Sequence, residues 1–321
     1  MAHPAQTQCQ PMFNMSAFLV RPSFTQSLGA WCAMVLCVYM NVCGPAHSQT
    51  TPAPQIYETS QGQPLSMALL VQQLSKADVV VLGEIHDNPH HHAQRAELLL
   101  ALSANRPWQV VAEHLDAGQQ VNHRLPLLQG LSDAGFDAQG WQWPMHEPLF
   151  QRIQQLNWPL WGGNLPAAQT RSVYQNQGAS LPEPIRALIA QATLPEPAMA
   201  SLRQSIDEGH CGALPANMFD GMIAVQRARD AHMAQAVLMH TPAVLIAGNG
   251  HAWKDLGVPQ ILQAHRPDWQ VVSVLFLEED PTDPLKPQAM SLTSWQGKAD
   301  YLWFTPANPR DDPCARWPKK Q

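Results

Sequence analysis

Short apolar runs rich in Val and Ile alternate along the chain with longer stretches of helical character. The runs are residues 78–83 (DVVVLG), 108–113 (WQVVAE), 158–163 (WPLWGG), 243–248 (AVLIAG) and 269–277 (WQVVSVLFL). They are continuously apolar instead of alternating, as in parallel strands covered on both faces. Between them the pattern predicts helices over 65–74, 89–104, 148–156, 217–239 and 259–264. Strand and helix in alternation at this spacing predict an α/β fold with a mainly parallel central sheet flanked by helices. The stretch 181–239 carries helical segments and no clear strand. It reads as a helical insertion before the last strands.

The ends of the chain show a different pattern. Residues 28–44 (LGAWCAMVLCVYMNVCG) form an apolar run after Arg21, and Ala46 and Ser48 are small residues before Gln49. This is the layout of a secretory signal peptide over 1–48, with a Pro/Gln/Thr linker over 49–55. A retained membrane anchor is the alternative, but Asn41 interrupts the run and it is short for a span. A single α/β domain is then expected over 56–314, with a tail at 315–321. Arg21 is the only basic residue of the leader and no acidic residue precedes Glu58, so an exported form is more acidic than the whole chain's net −6. Clustered Lys and Arg are lacking, which argues against nucleic acid as a partner. Of six cysteines, only Cys211 and Cys314 lie beyond the leader. In an oxidising compartment they are expected to form one disulfide, the alternative being two buried thiols.

Ligand sites of open α/β sheets form outside the carboxyl ends of the strands, so the residues just after each run matter most. The first run ends in Gly83-Glu84-Ile85-His86-Asp87, and Glu84 and His86 point to the same side of extended backbone. Asn88 caps a helix whose first residue is Pro89. That helix carries His91 and Arg95 on one face. The second run ends in Glu113-His114 and the fourth in Gly248-Asn249-Gly250-His251. Gly-x-x-His thus occurs twice, each time directly after a buried strand, with glycines that permit a sharp turn and close backbone approach. A cluster of His86, His251, Glu84 and Glu113, with His91 or Arg95 nearby, suits Zn²⁺, Mn²⁺ or Fe. Glu84 or Glu113 would then serve as general base. The plainer reading is that these groups hydrogen-bond one another and close the top of the sheet. Of His90, His91 and His92, at least one must face solvent.

The same segments carry a family resemblance. LGEIHDNPHHHAQ (82–94), VVAEH (110–114), GGNLP (162–166), HCGALP (210–215), QRARDAHMA (226–234), IAGNGHAWKDLGVP (246–259) and ADYLWFTPANPRDDPC (299–314) resemble the ChaN-type haem-binding family, within the wider Tiki and TraB group. The resemblance implies an exported, often lipid-anchored protein of haem or iron acquisition. It also implies a fold shared with metal-dependent peptidases of the Tiki type, and an outer-membrane haem receptor as delivery partner. It places Glu84, His86, Glu113 and His251 on the shared polar site, with Asn249 beside them and Arg229 and Asp230 on a helix facing it. Two features depart from the family pattern. The leader has no convincing lipid-anchor cysteine, and His146 stands in WPMHEPLF (143–150) where relatives tend to have Tyr.

His146 and Tyr174 are therefore the candidate axial haem ligands, since imidazole and phenolate both hold haem iron. Trp141, Trp143, Met145 and Phe150 lie near His146 in sequence and would supply apolar walls, or else ordinary core. An exposed aromatic face there would favour a homodimer with haem between subunits. The leading expectation is a periplasmic haem-binding protein. The alternative is a metal-dependent hydrolase or peptidase.

Overall fold

The structure is a computed structural model that describes residues 55–279, 292–312 and 314–315. The expected leader, most of the linker and residues 316–321 of the tail lie outside the described residues. In chain order the elements are β1 (Gln55–Glu58), β2 (Gln63–Leu65), α1 (Met67–Leu74), β3 (Val79–Leu82), α2 (Pro89–Ser103), β4 (Gln109–Asp116), α3 (Leu127–Asp133), α4 (Glu147–Gln155) and β5 (Leu160–Asn164). Next come α5 (Ala167–Gln175), α6 (Glu183–Gln191), α7 (Glu196–Gly209), α8 (Phe219–Met239), β6 (Ala243–Ile246), α9 (Asn249–Ala252), α10 (Val258–His265), β7 (Val271–Glu278) and β8 (Tyr301–Thr305).

Among the described residues, eight strands join one sheet in the order β2-β1-β8-β7-β3-β6-β4-β5. From β8 to β5 every pairing is parallel, and only β1 pairs antiparallel, with β2 and β8. The mainly parallel α/β sheet expected from the apolar runs is what the chain forms. Val79–Leu82 and Ala243–Ile246 are buried along their whole length, as strands covered on both faces must be. Strands β1, β2 and β8 add an edge that the apolar pattern did not predict.

The helices divide by chain order. Side chains of α1 to α4 pack with Val80, Leu82, Val110, Ala112, Val244 and Ile246 on one face of the sheet. Side chains of α5, α6, α8 and α10 pack with Val79, Val81, Val111 and Leu245 on the other. Residues 181–239 hold α6, α7 and α8 and no strand. Helix α8 packs on β4, β5 and β6, so this stretch supplies the cover of the second face.

This division also fixes the site. Neighbouring strands β3 and β6 lead into helices on opposite faces, α2 on the first and α10 on the second. Their outgoing turns diverge and leave a crevice at the carboxyl edge, which is where ligands bind in such sheets. Both Gly-x-x-His motifs lie at that crevice.

Candidate functional site

The two motifs interlock through their glycines. A Cβ on Gly83 would sit 2.2 Å from Asn249 Oδ1, and a Cβ on Gly248 would sit 2.7 Å from His86 Nε2. Each turn therefore lacks a side chain where the other turn places one. Close approach, not an unusual turn conformation, is the reason for these glycines: Gly248 has φ −64°.

Strand alternation then sorts the polar groups by face. Glu84 continues the side of Leu82 and faces α2 and α4, with His114. Glu113 continues the side of Val111 and faces α8. The cluster expected at the strand ends is thus two carboxylate-centred halves that meet at His86.

In the first half Glu84 Oε1 accepts from His86 Nδ1 at 2.8 Å and from His114 Nε2 at 3.1 Å. The guanidinium of Arg95, fully buried on α2, pairs with Glu84 Oε2. His92 donates through Nε2 to the His86 carbonyl at 2.9 Å and accepts from Arg95 at Nδ1, also at 2.9 Å. This fixes it as a neutral imidazole, and burial lowers its pKa to about 4. His146 lies 3.8 Å from Glu84 Oε1, and neither of its ring nitrogens has a hydrogen bond. Burial, and after it the neighbouring His114 and His92, drives its pKa far below the usual imidazole range. Burial likewise lowers His114, and it lowers Arg95 to about 9 against the pull of Glu113.

In the second half Glu113 Oε2 accepts from the Gly248 N–H at 2.6 Å, and Oε1 lies 3.3 Å from His251 Nε2. His251 Nδ1 donates to Asp230 Oδ1 of α8 at 2.6 Å. Burial alone would lower His251, but the two flanking carboxylates raise it to about 10. Burial would raise Glu113, yet the charge and hydrogen bond of His251 hold it well below the carboxylate range. Burial raises Asp230. His86 spans the halves. Its Nδ1 is held by Glu84, while its Nε2 lies 4.0 Å from Glu113 Oε2, and its side chain is 43% exposed. Trp141 packs beside it, ring centroids 4.9 Å apart.

The remaining candidates are distributed around this core. Asn88 caps α2 by accepting from His90 N–H, and His90 faces solvent. His91 turns away from Glu84, accepting from the Ile85 N–H and packing on Phe276; burial lowers its pKa to about 4. Asn249 donates to the Phe276 carbonyl. Arg229 lies one residue before Asp230 and lines a neighbouring cleft. His146 is 1% exposed, closed in by Trp141, His92 and Phe150. Tyr174 packs on Gly221 of α8, on the opposite face of the sheet. The two candidate haem ligands therefore do not converge. Cys211 and Cys314 are joined in a disulfide. Sequence reasoning left out His92 and His114. The signal for His114 was its place directly after Glu113; nothing in HHH told which histidines would be buried.

Two overlapping groups have metal-ligand geometry: Glu84, His92 and His146, and Glu84, His86 and His114, each with donor atoms within 4.8 Å of one another. The unpartnered nitrogens of His146 are what an absent cation would leave among such donors.

A parallel α/β sheet with a histidine–carboxylate cluster at its switch point defines a class of ligand- or metal-binding proteins. The family described as haem-binding uptake, Tiki superfamily, ChaN matches residues 70–262, and the chain belongs to it. A solved structure of cofacial heme binding to ChaN of Campylobacter jejuni has the same fold, with TM-score 0.64, 21% identity, and coverage of 79% of this chain and 97% of that one. The type III effector HopBA1 (10% identity, TM-score 0.36, 74% and 92% covered) and a Bacillus cereus protein (14%, 0.37, 67% and 70%) are more distant. No curated relative matches the chain in sequence.

Proposed function

We propose that the protein binds haem, in an exported, periplasmic form that serves haem and iron acquisition. Membership of the haem-binding uptake family over residues 70–262 carries this reading. The site favours His86 as the residue that meets the iron. Its Nδ1 is oriented by a buried carboxylate, the arrangement that raises the basicity of a metal-bound imidazole. It is half exposed, and Trp141 offers an aromatic wall beside it. His146 is 1% exposed and enclosed by the rings of His92, His114, Trp141 and Phe150, so it presents no face to a haem in this structure. The Cys211–Cys314 disulfide suits an oxidising compartment. Haem shared between two copies, delivery by an outer-membrane receptor, and any lipid anchor belong to the same proposal.

The test is a hemin titration monitored by Soret absorbance. A saturable shifted band in the wild type, lost in His86→Ala and kept in His146→Ala and Tyr174→Phe, is the expected result. A band that survives His86→Ala unchanged refutes His86 as the ligand, and no saturable band in the wild type refutes haem binding.

The unpartnered His146 nitrogens favour a second reading, a divalent ion of the Zn, Mn or Fe type held by Glu84 with His92, His146 or His86. Glu113 stays outside that ligand set and is the remaining carboxylate for a base in a hydrolysis, reached through its contacts with Gly248 and His251. Elemental analysis after metal loading should give about one ion per chain. Glu84→Gln together with His146→Ala should abolish it, and unchanged stoichiometry would sink this reading.

A further inference from the structure

Beside the His251 half of the site lies a separate cleft of about 330 Å³, walled by α7, α8 and the segment after α9. Its walls are largely apolar, including Leu202, Ile206, Val225 and Trp253. Two polar side chains of α8 enter it, Gln226 and Arg229.

Arg229 is chemically incomplete there. Among the described residues it pairs with no carboxylate, and its Nε is buried without a hydrogen-bond partner. The other inward arginines each keep a partner for their charge. Arg95 pairs with Glu84, although its Nε and Nη1 are also buried without hydrogen bonds, and Arg227 donates to the carbonyls of Leu256 and Ala192 and to Gln260. A half-buried guanidinium with an idle N–H carries a desolvation cost that a planar anion in the cleft would offset.

We infer that this cleft is a binding site for a small amphipathic carboxylate. The carboxylate lies on the Arg229 fork, where two parallel N–H bonds match its geometry. The apolar body lies between Leu202, Ile206 and Trp253. The volume stands at the small end of ligand pockets and fits a compact body such as one phenyl ring on a short chain. Gln226 stands between the cleft and the main site, its side-chain amide 3.0 Å from the His251 ring, whose Nδ1 proton is held by Asp230. Occupancy is therefore expected to be felt at His251. Neither haem nor metal at the main site is required for it.

The probe is 3-phenylpropanoate, titrated into the whole chain by calorimetry and by the ring resonances of His251. Saturable binding is expected in the wild type and in His86→Ala, with a shift at His251. Arg229→Gln should weaken it by about tenfold or more, as expected for a lost bond to a charged group. Leu202→Trp, which fills the apolar part and leaves Arg229 in place, should also remove it. The uncharged 3-phenylpropanol should not bind. Equal binding of the alcohol, undiminished binding in Arg229→Gln, or no saturation in the wild type each overturns the inference. A thermal melt identifies an unfolded variant, and the remaining variant and the alcohol then decide.

Discussion

Gly248 shows how much of the site depends on one absent methyl group. Its backbone is in a region that alanine adopts freely, so the substitution Gly248→Ala meets no conformational barrier. The new Cβ would, however, lie 2.7 Å from His86 Nε2 and 2.8 Å from its Cε1. The half-exposed His86 ring is the part able to yield. Gly248→Ala is therefore expected to cost about 1 kcal/mol in stability, the low end for overpacking, while moving His86 and weakening ligand binding far more. Melting temperature and hemin affinity measured on the same sample separate the two effects. Gly83→Ala makes a useful contrast, because its Cβ would meet Asn249 and also Leu275 at 2.9 Å inside the core. Its larger effect should fall on stability.

At the scale of the element, α2 brings a row of uncharged histidines into the interior. His91 and His92 have pKa values lowered to about 4, and His114 and His146 are lowered with them. The unfolded chain binds protons on these groups below about 6.5, and the folded chain does not. Their stabilising contribution is full above that value and is lost as pH falls toward 4. His251 has the opposite sign, because its pKa is raised to about 10. Its contribution is full below about 6.5 and is lost as pH rises. Four groups oppose one on the acid side, so the protein should melt at a clearly lower temperature at pH 5 than at pH 7. Each fully neutral histidine contributes on the order of 2 kcal/mol to that difference. Equal melting temperatures would contradict the burial of these imidazoles. The same elements show what the sequence made legible. Strands β3, β4, β5, β6 and β7 announce themselves because burial on both faces demands an unbroken apolar run. Strand β1 (QIYE) and β2 (QPL) lie at the edge, are short and carry no such demand. Strand β8 (YLWFT) is fully buried, but it lies between β7 and β1, and β1 comes from the other end of the described chain. The strand-end residues Glu84, His86, Glu113 and His251 were readable from position alone. The burial of His92, His114 and His146 was not, because it arises where α2 and α4 pack together over β4.

At the scale of the whole molecule, the Cys211–Cys314 disulfide ties the end of α7 to the chain beyond β8, across 103 residues of sequence. Closing so long a loop in the unfolded chain contributes up to about 4 kcal/mol. Reduction is therefore expected to lower the melting temperature by roughly ten degrees. Protein made in an oxidising compartment should show no free thiol from these two residues when denatured without reductant. Two titrating thiols would count against the bridge. The strand order has a further consequence, one of timing. Strand β6, which begins at Ala243, lies between β3 and β4. A chain emerging from its N-terminus has already presented Glu84, His86 and Glu113 before the strand that spaces them exists. Until then β3 and β4 have no common neighbour, and Glu113 has no Gly248 N–H to receive. Sheets closed by such late, distant pairings assemble slowly. The two halves of the site are therefore brought to their native spacing only once β6 has joined the sheet.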